Sequence, residues 1–191
     1  MLKRLLLTSS LVLALGLTLP ANADSINYTT ILNGANEVPP NATTGTGFAA
    51  FVLTDDSLFI DVTFSGLTGP PAAGHIHCCV PIGVNAPVAV PFSGLPSATS
   101  GSFTNTVDLT LASTYTAAFI TASGGTTADA EAALINALNS GNTYTNLHTA
   151  LFPGGEIRGQ IAVTPEPVSL LLLGTGLVGV VQIIRRRASL G

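Results

Sequence analysis

His75 and His77 stand two residues apart in Ala73-Gly74-His75-Ile76-His77-Cys78-Cys79, and that spacing decides what they can do together. In an extended strand successive side chains take opposite faces, so both imidazoles share one face and Ile76 takes the other. A third histidine, His148, lies in the alternating run Asn142 to Thr149, opposite its apolar neighbour Leu147. Histidines from two strands are a common way to hold zinc or copper. Cys79, which continues the face of His75 and His77, and Glu156 are the candidates to complete such a shell. The alternative use of the same three rings is structural: they hydrogen-bond backbone or Asn146 and tie neighbouring strands together.

Other chemistry is poorly supplied. No nucleophile-and-base motif accompanies the histidines. A glycosidase needs two carboxylates at a set separation, but Asp55-Asp56 falls in a turn and Asp61 on a solvent-facing strand position. Cys78 and Cys79 are adjacent, and adjacent Cα atoms lie about 3.8 Å apart, below the usual disulfide window of about 4.4–6.8 Å. Free thiols, a strained bond between the two, and metal ligation all stay open. Redox enzymes usually separate their two cysteines by two residues.

The elements that must position these residues are strands. Asn142 to Thr149 alternates, a loop holding Pro153, Gly154 and Gly155 follows, and Glu156 to Val163 alternates again, which is a hairpin. Leu147, Ile157, Ile161 and Val163 then form its buried side, while Tyr144, Asn146, His148, Glu156, Arg158 and Gln160 share the polar side. Upstream, Ile26 to Leu32 and Phe48 to Leu53 read as strands. Leu58 to Ser65 has the strongest period of two, with Leu58, Ile60, Val62 and Phe64 on one face. Gly74 to Cys79, Val88 to Phe92, Ser102 to Leu111 and Tyr115 to Thr121 add four more. One helix interrupts them: Thr126 or Thr127 caps it, Asp129 and Glu131 favour its positive end, and Ser140-Gly141 stops it. Short strands about ten residues apart with turn signals predict a sandwich or barrel.

Four segments in order, LNGANEVPP (Leu32 to Pro40), TFSGLTGP (Thr63 to Pro70), AGHIH (Ala73 to His77) and NTYTNLHTALFPGGEIRGQI (Asn142 to Ile161), resemble the CHRD domain. That module was first described in chordin and is also present in many bacterial exported proteins. The resemblance implies an all-β domain, here placed at residues 24–163, folded as a Greek-key or immunoglobulin-like β-sandwich with one short inserted helix. It implies no particular activity.

The two ends lie outside that domain. Lys3 and Arg4 precede an apolar run from Leu5 to Leu17, and Ala21-Asn22-Ala23 supplies a small-x-small cleavage site, so residues 1–23 read as a secretory signal peptide. A run of thirteen apolar residues falls short of the roughly 20 that span a bilayer. At residues 164–191, Pro165-Glu166-Pro167 is followed by the apolar stretch Val168 to Ile184 and then by Arg185-Arg186-Arg187. Seventeen residues reach about 25 Å as a helix, the lower limit for a transmembrane span, and the arginines would hold its end in the cytoplasm. This three-part tail resembles the PEP-CTERM sorting signal. The resemblance implies an exosortase as processing partner, after the secretion translocon and signal peptidase, and passage from the inner membrane to the cell surface or matrix of a Gram-negative-type bacterium. A permanent single-span anchor is the alternative.

Between residues 24 and 163 Arg158 is the only Lys or Arg, set against nine Asp and Glu. Such a surface repels nucleic acid and has no patch to neutralise phosphates. The expectation is therefore an exported binding or structural protein of the cell surface, with exopolysaccharide or another surface protein as partner, rather than an enzyme. The competing expectation is a copper- or zinc-binding redox protein that uses the histidines.

Overall fold

A computed structural model of the chain describes residues 25–164 and the helical positions 175–178, 180–182, 185 and 188. The expected signal peptide at residues 1–23, the motif Pro165-Glu166-Pro167, and Arg186 and Arg187 lie outside the described residues. Arg185 occupies an exposed helical position. Among the described residues no helix is long and apolar enough to cross a membrane.

The described chain is mostly β: β1 (Ser25–Asn33), β2 (Thr46–Thr54), β3 (Ser57–Ser65), β4 (Ala73–Cys78), β5 (Val88–Pro91), β6 (Gly101–Asp108), then α1 (Ala117–Ser123) and α2 (Thr127–Asn139), then β7 (Thr143–His148), β8 (Ile157–Gln160) and β9 (Ala162–Val163). The strands form one antiparallel sheet in the order β5-β4-β7-β8-β1-β2-β3-β6, with β9 on β1. Phe92, just past β5, stacks on Phe103 of β6 at 5.2 Å between ring centroids. The two edge strands therefore meet, and the sheet curls around a single core.

Alternation drives this curl. Leu58, Ile60, Val62 and Phe64 of β3 and Ala49, Phe51 and Leu53 of β2 are all buried on the inner side, each large side chain contributing about 1.5–3 kcal/mol by leaving water. Ile76, Leu147, Ile157 and Ile161 join the same core, as their periodicity requires. Val163 does not: β9 is a two-residue strand on the outside of β1, and Val163 is exposed. At Gly159 of β8 a side chain would collide with Thr30 Oγ1 and the Ile31 carbonyl of β1, so only glycine allows these strands to approach so closely.

α2 starts where its caps predict, with Thr126 Oγ1 accepting from the Asp129 N–H and donating to the Asp129 carboxylate. Leu134 and Leu138 bury against the sheet. The expected strand at Tyr115 to Thr121 is instead helix α1, so two helices stand where one was predicted. Thr116 caps α1 by accepting from the Phe119 N–H, and Tyr115 and Phe119, four residues apart, pack together into the core. Cap and packing outweigh the β-branched composition of that segment.

Candidate functional site

The registers of β4, β7 and β8 set the polar face. Across these strands His75 pairs with Asn146 and Asn146 with Arg158, while His77 pairs with Tyr144 and Tyr144 with Gln160. Because paired residues point the same way, these side chains and His148 form one patch on the face away from Ile76 and Leu147. His75 Nδ1 is 3.1 Å from His148 Nε2, and the three histidines' ligand atoms lie within 4.8 Å of one another. Asn146 sits among them, its Oδ1 3.1 Å from His77 Nε2 and 3.0 Å from His148 Nε2.

This face is covered. Tyr144, Asn146, His77 and Arg158 are all buried, because the segments after β1 and after β4 fold over them. Asn85 ties the two covers together by donating to the Val38 carbonyl. His77 Nδ1 is 2.8 Å from the Ala86 carbonyl, and Arg158 donates to Asn85 Oδ1 and the Val84 carbonyl, each at 2.8 Å. The Arg158 guanidinium carbon lies 3.4 Å from the centroid of the Tyr144 ring, which in turn stacks nearly parallel on His77 at 4.5 Å. A cation in this position is held by the ring quadrupole and by two neutral oxygens.

Burial shifts the ionisable groups. Desolvation, helped by the neighbouring His148 and His77, lowers His75 to about 4. Desolvation also lowers His77, against the pull of the Ala86 carbonyl. Glu37, in the segment after β1, is raised by burial to about 7, partly offset by Arg158 and by hydrogen bonds from Asn146 and the Val38 backbone. Its Oε1 is buried without a hydrogen-bond partner. Beside it opens a cavity of about 370 Å³ lined by Glu37, Val38, Ile82, Gly83, Arg158 and Gln160.

The two other candidate ligands lie elsewhere. Cys79 follows the end of β4, and its sulfur is bonded to that of Cys78, which leaves no thiolate for a metal. Glu156 precedes β8 and is fully buried, but its carboxylate faces three threonines: it accepts from Thr43 Oγ1 at 2.7 Å, from Thr68 N–H at 2.8 Å and Oγ1 at 2.7 Å, and from Thr149 Oγ1 at 2.5 Å. Burial pulls its pKa up, but these bonds together leave it lowered. Neither residue belongs to the group of converging histidine atoms. Sequence reasoning missed Glu37, which lies in a turn where no periodicity assigns a face. Asn146 carried a signal, since alternation puts it between Tyr144 and His148.

Residues 28–161 match the model of the CHRD domain family. No curated protein and no solved structure matches the chain.

Proposed function

The chain belongs to the CHRD domain family, and from that premise we propose that it is an exported binding or structural module of the bacterial cell surface or extracellular matrix, delivered by a sorting tail. The observation that carries the delivery is the order Pro165-Glu166-Pro167, apolar stretch, Arg185-Arg186-Arg187 directly after the matched domain. The translocon and signal peptidase act on residues 1–23, the tail holds the protein briefly in the inner membrane, and an exosortase cuts near the motif. The curled sheet is read as a Greek-key, immunoglobulin-like sandwich, supported by its all-antiparallel pairing around one core. Exopolysaccharide or a second surface protein is the proposed partner, in keeping with a domain that has one buried cation and an acidic exterior.

Mass spectrometry tests the delivery. Protein recovered from the surface of a host with an exosortase is expected to lack the segment from Arg185 to Gly191, and protein from a host without the enzyme to retain it. An intact Gly191 in the first host overturns the sorting reading in favour of a permanent anchor.

A second reading, a copper- or zinc-binding redox protein, is favoured by one observation: the three histidines converge within a ligand sphere.

A further inference from the structure

We propose that one transition-metal ion of the Cu²⁺ or Zn²⁺ class is held by His75 Nδ1, His77 Nε2, His148 Nε2 and the amide oxygen of Asn146. The inference rests on the metal-binding reading and adds to it the ligand atoms and a fourth donor that is neither Cys79 nor Glu156.

The argument is one of missing protons. A carbonyl oxygen only accepts, so the Ala86 carbonyl fixes a proton on His77 Nδ1 and the Pro153 carbonyl, 3.0 Å away, fixes one on His148 Nδ1. In the neutral rings both Nε2 atoms are then bare lone pairs. Both point at Asn146 Oδ1, at 3.1 and 3.0 Å, which is also an acceptor. In this orientation of the amide neither contact has a proton. His75 Nδ1 relieves His148 if it carries a proton, but the two contacts to Asn146 remain. Protonating both rings would supply donors, at the cost of two cations side by side next to the buried Arg158.

A metal ion removes the conflict, because it accepts all the lone pairs at once. Zinc bonds of about 2.0–2.1 Å put tetrahedral donors about 3.3 Å apart; the pairs His75–His148, His77–Asn146 and His148–Asn146 already stand at 3.0–3.1 Å, and the three histidine atoms, within 4.8 Å of one another, need only draw in slightly. Nitrogen donors suit copper and zinc. Ligating histidines usually donate their second nitrogen to a carbonyl or carboxylate, which fixes the tautomer. Ala86 and Pro153 already do this for two of the three rings. Tyr144, stacked on His77, and the neighbouring strand hold the ring planes in place before any ion arrives.

The test uses the full chain, made without a histidine tag, stripped with a chelator and titrated with Cu²⁺ and with Zn²⁺ against a chromogenic competitor. One ion per chain is expected, with nitrogen superhyperfine structure in the Cu²⁺ electron paramagnetic resonance spectrum and a rise in thermal midpoint on loading. His148→Ala and His75→Ala, at the less buried side of the patch, should each lower affinity at least tenfold. Asn146→Ala should lower it about tenfold, the cost of losing a weak ligand. No stoichiometric ion, or wild-type affinity in both histidine variants, overturns the site. Wild-type affinity in Asn146→Ala overturns its place as fourth ligand, while the three-histidine reading stands. Tail processing is independent of all these outcomes.

Discussion

Glu156 and Glu37 are both buried carboxylates in this domain, and their treatment is opposite. Glu156 accepts four hydrogen bonds from three threonines on three different segments, so its charge is compensated where it sits and its pKa is lowered. Glu37 has a buried oxygen without a partner, and burial raises it to about 7 against the charge of Arg158. A satisfied buried charge fastens a fold; an under-satisfied one next to a cavity and a ring of lone pairs marks a place built for something else. The two are neighbours through Gly155, where a Cβ would collide with the Glu37 carboxylate.

The largest effect expected from breaking this contrast is at Glu156. Glu156→Ala strands the Thr43, Thr68 and Thr149 donors and should cost about 3–5 kcal/mol, the range for breaking a buried charged network; urea unfolding measures it. A loss below about 1 kcal/mol would show that the cradle is not what fastens β8 to the loops. Next comes Gly155→Ala, strained by its φ of 130° and by Glu37, at about 1–3 kcal/mol. In a Glu37→Ala background the steric part should vanish and the backbone part remain, a coupling of about 1 kcal/mol in a double-mutant cycle.

A pH dependence sharpens the same contrast. Glu37 is raised from an ordinary 4.5 to about 7 in the folded protein, so the folded state keeps a proton between those values that the unfolded chain has released. Its contribution to stability is therefore present below about 4.5 and lost as pH rises through about 7. In chelator-treated protein, Glu37→Gln should gain stability relative to wild type as pH rises from 5 to 8. His75 has the opposite slope: lowered from 6.5 to about 4, it removes stability as pH falls between these values, and it does so equally in both proteins. Thermal melts of the pair isolate Glu37, and a difference that stays flat with pH would mean that Glu37 is as well satisfied as Glu156.

What the sequence determined by itself follows from local geometry. Alternation is a property of each extended backbone, so the shared face of His75 and His77, the placement of His148 opposite Leu147, the buried rows of β3 and the caps of α2 needed no partner strand to be read. The tertiary structure alone decided that this face is not open to solvent. Asn85 reaches Val38 and Arg158 reaches Asn85 across long separations in the chain, and no local pattern encodes such loop docking. The tautomers of His77 and His148 are likewise fixed by loop carbonyls, those of Ala86 and Pro153, whose positions follow from how the loops fold and not from strand alternation. Docking of Thr43, Thr68 and Thr149 turns Glu156 into a threonine-held anchor, although parity had put it beside His148. Helix α1 shows the same limit from the other side, since the Thr116 cap and the core that receives Tyr115 and Phe119 chose helix for a segment whose β-branched residues pointed to strand.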